Sequence, residues 1–369
     1  MNFTLVRDEH IEPLASLASE IWHEYFASIL SLEQIDYMVE RFQSFHALKD
    51  QIQHQNYQYY FIVNDDCIVG YTGIQIQEEK LFLSKLYIKK EERQKGYASK
   101  TFAFLEELAK KHHLKYIYLT VNKYNYATIE IYEKKGFVKI DAQVNDIGNG
   151  FVMDDFIMEK ALTKEGLSEE EKILHHLYHY PPEEGLTKQR NKAKEILYEY
   201  NQLHPFNQED RRQELIKDLF KKVGKNTVIE MPFKIDYGSH TIVGDNFFAN
   251  FGCTILDSST VIIGNDVMFG PNVGLYTVNH PLQSFSRKAA YEIAKPITIG
   301  NEVWIGADAT IIGGVSIGDR SVIGAGSVVT HNIPADCVAV GNPAKVIRHI
   351  NQDEPIEECR EAYFNSIKK

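Results

Sequence analysis

Residues 297–330 read ITIGNEVWIGADATIIGGVSIGDRSVIGAGSVVT. Within them an aliphatic residue falls at every sixth position, at Ile299, Ile305, Ile311, Ile317, Ile323 and Val329, and glycine follows four of these, as Gly300, Gly306, Gly318 and Gly324. Neither the 3.6-residue turn of an α-helix nor the alternation of a strand produces that period. A left-handed parallel β-helix does, because each hexad forms one flat wall of a triangular coil and turns its aliphatic residue inward. The small residue that follows turns the corner, where the expected backbone conformation is one that a Cβ makes costly. Stacked coils then bury one continuous apolar core.

The same phase extends upstream through Val243-Gly244, Ala249 and Ile255, then Ile263-Gly264, Phe269-Gly270 and Leu275, with a two-residue slip near Asp257-Ser258-Ser259. The slip predicts a small bulge or loop at one corner. A longer interruption, from about Tyr276 to Pro296, contains Thr277-Val278-Asn279-His280-Pro281. An excursion of that length from a regular solenoid is usually functional. A lone loop histidine is more often an ordinary surface residue, so His280 gains weight only from its surroundings.

Those surroundings include Glu169-Glu170-Glu171-Lys172-Ile173-Leu174, Arg190-Asn191-Lys192-Ala193-Lys194, Met231-Pro232-Phe233-Lys234-Ile235-Asp236-Tyr237-Gly238 and Asp245-Asn246-Phe247-Phe248-Ala249-Asn250-Phe251. Further on come Met268-Phe269-Gly270-Pro271-Asn272-Val273, Val303-Trp304-Ile305-Gly306 and Gly341-Asn342-Pro343-Ala344-Lys345-Val346-Ile347-Arg348. Taken in order from Leu167 to Ile350, they resemble the maltose and galactoside O-acetyltransferase family. The resemblance implies acetyl-CoA as donor and a sugar hydroxyl as acceptor. It makes His280 the general base, a role suited to a group that titrates near neutral pH. Asp236 and Asn250 contact the acceptor by the same resemblance, with side chains suited to hydroxyls. Glu292, on the excursion, orients the imidazole or binds sugar. Trp304, Ala307, Ala325, Thr330, Lys345 and Arg348 are implied contacts of the coenzyme. His331 departs from the family, which usually has lysine there. The family also implies a homotrimer with the His280 loop of one subunit facing Trp304 of the next, and flat walls suit such packing.

Residues 1–162 carry no hexad phase and alternate strand-like and helix-like segments in the manner of an α/β domain. Tyr59-Tyr60-Phe61-Ile62-Val63 and Cys67-Ile68-Val69-Gly70-Tyr71-Thr72 read as a hairpin around Asn64-Asp65-Asp66, Leu83–Ile88 as a strand, and Lys100–Lys111 as a helix. Between the last two lies Arg93-Gln94-Lys95-Gly96-Tyr97-Ala98-Ser99, whose N–H groups at a helix start, beside two basic residues, make a pyrophosphate cradle. A second segment holds Tyr118-Leu119-Thr120-Val121-Asn122, Asn125 and Ile131-Tyr132-Glu133-Lys134-Lys135-Gly136-Phe137. Together they resemble the GCN5-related N-acetyltransferase (GNAT) family. That resemblance implies that the backbone of Leu86–Ile88 pairs with the pantetheine arm, that residues 93–99 hold the pyrophosphate, that Asn125 contacts CoA, and that Tyr132 protonates the departing thiolate. A phenol suits the last role because it stays protonated at neutral pH. The acceptor base is not evident. Glu20-Ile21-Trp22-His23-Glu24-Tyr25 and Ser84-Lys85-Leu86-Tyr87-Ile88 resemble the polyamine-acetylating branch, with Glu20 and Glu24 as holders of a cationic amine; Trp22 and Tyr25 are equally readable as core aromatics.

The reading divides the chain into a GNAT domain at 1–162, a linker and helical cap at 163–222, a β-helix at 223–350 and a tail at 351–369. The cap is broken by Pro181-Pro182 and Pro205, and its His175, His176 and His179 read as surface histidines rather than metal ligands. A 44% hydrophobic content over 369 residues supports two packed domains. The net charge of −11 argues against nucleic-acid partners. Cys67, Cys253, Cys337 and Cys359 form neither a metal motif nor a disulfide framework, and no metal is expected. With no apolar secretory core and no bilayer-length stretch, the expectation is a cytoplasmic enzyme without a membrane partner. The fold class is thus an α/β GNAT domain followed by an all-β left-handed helix, and the function a bifunctional N- and O-acetyltransferase. Two alternatives stay open: a xenobiotic, streptogramin-type acceptor for the solenoid, and a trimeric solenoid carrying a non-catalytic sensor of acetyl-CoA or an amine.

Overall fold

The computed structural model describes residues 1–353 apart from Ile29 and Pro205. Cys359 and the tail beyond Asp353 therefore lie outside the described residues, as does the proline break at 205. Two compact units meet between Gly166 and Leu167.

The first unit is built on a seven-stranded sheet in the order β1(Asn2–Leu5), β2(Tyr57–Asn64), β3(Cys67–Ile76), β4(Lys80–Ile88), β5(Tyr116–Asn122), β7(Phe151–Ala161), β6(Val138–Gly148). The helices are α1(Ile11–Tyr25), α2(Leu32–Gln43), α3(Phe45–His54), α4(Tyr97–Lys111) and α5(Tyr126–Lys134). Helix α1 buries Ile11, Leu14, Leu17, Ala18 and Ile21 at helical spacing. Ser31 and Ser44 cap α2 and α3 through hydroxyls that accept N–H bonds three residues on. The hairpin β2–β3 turns through Asp65 and Asp66, both at positive φ, as a two-residue turn requires. Only β4 and β5 run parallel, and they pair only from Lys80↔Tyr116 to Phe82↔Tyr118. Past that point β4 remains bonded to β3 as far as Ile88, and its other edge is open.

In the second unit α6(Glu169–Leu174), α7(Glu184–Tyr200) and α8(Glu209–Leu219) precede three parallel walls. One wall stacks Lys222–Val223, Thr241–Val243, Val261–Ile263, Ile297–Ile299 and Ser316–Ile317, and the others repeat the pattern. Ile299, Ile305, Ile311, Ile317, Ile323 and Val329 are all buried, as are Val243, Ala249, Ile255, Ile263, Phe269 and Leu275. Coils repeat after 18 residues at Asn301–Asp319, after 20 where the two-residue slip occurs, and after 36 across the excursion. The slip corner is held by Asp257, a buried carboxylate that accepts from Tyr237 N and Thr241 Oγ1, each at 2.8 Å. Tyr200, Leu215, Ile216 and Leu219 join the solenoid core beside Ile229 and Phe233, so α7 and α8 close its first coil.

The corner glycines are needed for a reason other than the expected one. Gly300, Gly306, Gly318 and Gly324 do not take positive φ; the left-handed residues come two positions after Gly244, Gly264, Gly300 and Gly318, at Asn246, Asp266, Glu302 and Arg320. The glycines themselves lie against the next coil. A Cβ on Gly318 would sit 2.3 Å from Ala335 N, and one on Gly306 would sit 2.6 Å from Ala325 N. Between each such glycine and its left-handed residue stands an Asp or Asn whose carboxyl or amide oxygen accepts the next rung's N–H. The rungs are Lys225 N to Asp245, Asp245 N to Asn265, Asn265 N to Asn301, and Asn301 N to Asp319, at 2.7–2.9 Å.

Gly318→Ala is therefore expected to destabilise the second unit by about 3 kcal/mol, the upper end for overpacking, because the atoms it meets are backbone and cannot swing away. Gly326→Ala, at positive φ with nothing within 4 Å, should lose only about 1 kcal/mol from the left-handed backbone. Equal losses in chaotrope unfolding would refute the close-approach account.

Candidate active sites

The excursion is an antiparallel pair, Val278–Asn279 with Ile293–Ala294, joined through the short helix α9(Ser284–Lys288). It is tied to the cap by a two-bond bridge, with His179 N donating to Glu292 O at 3.0 Å and Glu292 N to His179 O at 3.1 Å. That bridge sets an imidazole beside each Glu292 oxygen: His280 Nε2 at 4.0 Å from Oε1 and His179 Nε2 at 3.8 Å from Oε2. Burial raises the Glu292 pKa and the His280 side opposes it. The His280 side chain is 54% exposed, whereas His179 is wholly buried. Asp236 stands in the same electrostatic neighbourhood, its pKa raised by burial against the pull of Arg190, Lys194 and His240. Arg190 donates to Tyr237 Oη and to Pro181 O, and the Tyr237 ring stacks on His240 at 4.6 Å. The result is an open imidazole backed by carboxylates, suited to taking a proton from a hydroxyl.

The expected surface histidines of the cap are not at the surface. His179 is fully buried, burial lowers its pKa, and its Nε2 has no hydrogen bond; His176 is held near pKa 4, chiefly by burial. Nothing in their local sequence shows this, because the bridge to Glu292 joins segments more than a hundred residues apart. Among the described residues no group of three or more His, Cys, Asp or Glu is placed to hold a metal ion.

Trp304, Ala307, Ala325 and Arg348 line one groove of about 910 Å³, together with Gly270, Gly306 and Gly324. Small residues floor it and Trp304 stands half exposed, a shape that fits a slender acyl carrier. His280 is not among its lining residues. Thr330 and Lys345 also lie off the groove: Thr330 Oγ1 bonds His331 Nδ1 at 2.8 Å, and Lys345 is exposed on the last strand. Asn250 accepts Phe251 N through its own side chain at 2.8 Å.

In the first unit a cavity of about 530 Å³ follows the open edge of β4 and gathers Leu86, Ile88, Arg93, Ala98, Asn125 and Tyr132. Helix α4 starts directly after its N-cap Gly96, which sits at φ 84° and supplies no side-chain cap to the first turn, an arrangement that suits an anionic ligand. Gln94 takes positive φ on the approach, and Lys95 pairs with Glu92 at 3.0 Å. Arg93 departs from the cradle reading. Its guanidinium binds Glu24, its Nε donates to Ile88 O at 3.1 Å, and it lies 5.0 Å over the Tyr25 ring. Glu24 is accordingly occupied by Arg93, with Lys90 at 3.6 Å, and is not the holder of a cationic amine. Trp22 is buried in the core. Asn125 caps α5 and accepts from Tyr25 Oη at 3.3 Å. Tyr132 packs edge-on to Phe102, and burial raises its pKa, keeping the phenol protonated.

Comparison with known proteins bears on both units. Residues 17–137 match the acetyltransferase (GNAT) family, residues 172–224 the maltose acetyltransferase hexapeptide capping motif, and residues 296–331 the hexapeptide repeat of succinyl-transferase. The galactoside O-acetyltransferase of Escherichia coli (strain K12) is 45% identical over 185 residues, covering 50% of this chain and 88% of that protein. The chain belongs to the galactoside O-acetyltransferase family and carries a GNAT domain. A crystal structure of a maltose O-acetyltransferase from Clostridium difficile 630 aligns at 41% identity over 50% of this chain and 99% of its own, with a TM-score of 0.49. The PaiA N-acetyltransferase from Thermoplasma acidophilum, solved with coenzyme A, aligns at 25% identity over 44% of this chain and 99% of its own, with a TM-score of 0.36. The GNAT and O-acetyltransferase halves make this chain an acetyl-CoA-dependent acyltransferase.

Two charged residues in the GNAT cavity escaped the sequence reading, Lys85 and Asp155. Each lies in a strand with other charged residues, Lys80 on β4 and Asp154 on β7, and gives no local sign of facing a cavity. Lys85 Nζ bonds Gln51 Oε1 at 3.1 Å and Tyr59 Oη, and burial lowers its pKa to about 7. The unfolded chain holds that proton up to the ordinary value of 10.5, so it binds more protons than the folded chain between the two values. Stability should rise with pH through that window. Between pH 7 and pH 9.5 the wild type is expected to gain unfolding free energy relative to Lys85→Met; parallel pH profiles would show that Lys85 is not held neutral.

Proposed function

We propose that the chain is bifunctional, O-acetylating a sugar hydroxyl in its β-helix and N-acetylating an amine in its GNAT domain. The observation that carries this reading is that each half has an acid–base group and a cleft of its own: Tyr132 lines the GNAT cavity, and the β-helix carries His280 with Glu292 apart from the Trp304 groove. In the β-helix, His280 takes the proton of the attacking hydroxyl, and Glu292 orients and stabilises the imidazolium that forms. Asp236 holds the acceptor, with Arg190 and Tyr237 fixing its segment. Asn250 is a further acceptor contact of this reading. In the GNAT domain, the open edge at Leu86–Ile88 pairs with the pantetheine amide groups and the start of α4 holds the pyrophosphate. Tyr132 returns a proton to the departing sulfur.

The sugar site is assembled between subunits in this proposal. Its support is that the Trp304 groove and the His280 cluster are separate features of one chain, while Trp304 and Met268 are half exposed on one wall. Light scattering should give a particle near three times 42.4 kDa; a monomer that turns over sugar at full rate would rule out a shared site. Lys345, Arg348 and Thr330 bind the nucleotide end in the same scheme. Among the described residues no helix is long and apolar enough to cross a membrane.

The chemistry is tested by CoA release with paired variants. His280→Ala is expected to lower kcat for a galactoside or maltose by about a hundredfold or more and leave amine turnover in place. Tyr132→Phe is expected to lower amine turnover by a similar order and leave sugar turnover in place. Losses that track together would argue for one site, not two.

A further inference from the structure

The GNAT cavity contains two buried ionisable groups, an acid and an amine, that do not meet. Asp155, on β7, is 2% exposed and lines the cavity, yet has no hydrogen bond or ion pair among the described residues. Its neighbour Asp154 takes the nearby cation, Lys123, at 2.5 Å. Lys85, on β4, is 8% exposed and lines the same cavity. Its partners are an amide oxygen and a phenol, with no carboxylate within ion-pair distance. Beside it Gln43, 1% exposed and also in the wall, has an Nε2 without any partner. An isolated buried charge is costly unless something in the functional state compensates it. Here one end of the cavity lacks a cation and the other an anion.

The register sets their separation. Asp155 pairs with Asn122 on β5, and Lys85 lies on β4, the next strand along, past the point where β4 and β5 part. Two strand spacings set a lower bound of about 10 Å on that separation, and the parting of β4 from β5 adds to it. Tyr87, two residues beyond Lys85 on β4, has its phenol within electrostatic reach of both Asp155 and Tyr132, and all three line the one cavity. Burial raises the Asp155 pKa to about 6, which leaves a carboxylate at neutral pH that is a better proton acceptor than an exposed one.

We propose that the GNAT cavity takes an elongated zwitterionic amine, its ammonium on Asp155 beside Tyr132 and its anionic end, most simply a carboxylate, on Lys85 and Gln43. This rests on the N-acetylating role proposed for that domain. Asp155 accepts one proton from the ammonium. The freed nitrogen lone pair attacks the thioester carbonyl, the C–S bond breaks as the N–C bond forms, Tyr132 gives its proton to the departing thiolate, and the nitrogen's second proton passes through solvent to the Tyr132 phenolate, which restores the phenol. Asp155 then releases its proton to water. A polyamine fits less well, because its second cation would approach Lys85.

The test compares three acceptors of one length, 8-aminooctanoate, octylamine and 1,8-diaminooctane, by initial rates on the full-length wild type, with the N-acetyl product identified by mass. The amino acid is expected to lead both others in kcat/KM by at least tenfold, the range of a charge-assisted hydrogen bond. Lys85→Met should erase that lead. Asp155→Asn should lower turnover of all three by about a hundredfold at pH 7 and recover it as the pH rises and free amine accumulates, a recovery that a merely structural role would not produce. A lead for 1,8-diaminooctane on the wild type, which needs no variant to fold, overturns the inference while leaving N-acetylation standing, as does an Asp155→Asn enzyme with wild-type rates. If no amine is acetylated, or turnover is indifferent to Tyr132→Phe, the N-acetylating role falls and the inference with it.

Discussion

Backbone against backbone at the solenoid corners is the contact on which the second unit depends. The coils approach so closely that a Cβ at Gly300, Gly306 or Gly318 would overlap the next coil. Once the coils are that close, the Asp and Asn side chains at Asp245, Asn265, Asn301 and Asp319 are in reach of the rung beside them, and each bond contributes on the order of 1 kcal/mol. Stacking also fixes register in a way that tolerates insertion. Val261 still pairs with Ile297, Met268 with Trp304 and Gly274 with Thr310 across the excursion, so a long loop leaves the prism without disturbing it. The loop then needs an anchor of its own. The His179–Glu292 bridge provides it, and with it the distance between Glu292 and His280.

The GNAT domain makes its site by the reverse means, leaving bonds unmade. Strands β4 and β5 begin paired and separate after Phe82↔Tyr118. The open edge offers main-chain groups to a ligand, and the wedge behind it becomes the cavity. A cavity inside a packed sheet-and-helix core is poorly hydrated, so the ionisable groups in its wall shift toward their neutral forms: Lys85 falls, Asp155 and Tyr132 rise. Groups in that condition exchange protons readily with a reacting molecule.

Much of this was legible in the sequence where the signal is local or periodic. Every inward hexad residue from Val243 to Val329 is buried as its phase predicts, whereas α4, read from Lys100, starts three residues earlier at Tyr97, directly after Gly96. The glycines were legible in position but not in cause: a six-residue period cannot distinguish a glycine required by φ from one required by the neighbouring coil. Long-range pairing defeats the same reading. Glu24 looks like an exposed helix acid until Arg93, far along the chain, is found on it. His179 looks like one of three surface histidines until Glu292 bridges to it, and Lys85 gives no local sign that it is buried among Gln51, Tyr57 and Tyr59.

In the proposed bifunctional reading the two sites differ as their acceptors require. A sugar hydroxyl is a very weak acid and gives up its proton only as its oxygen attacks, so its base must be strong enough to pull in the transition state yet unprotonated at rest. An imidazole meets both conditions near neutral pH, and its exposure at His280 leaves room for a bulky polyol. An ammonium of ordinary pKa near 10 presents the opposite problem: it must lose a proton before it has any lone pair to attack with. A carboxylate is a poor base in water for that purpose. In a wall where desolvation disfavours the charged forms of both partners, proton transfer from ammonium to carboxylate removes two buried charges at once. In the proposed role, the burial that raises the Asp155 pKa is therefore what lets a weak base prepare a strong nucleophile.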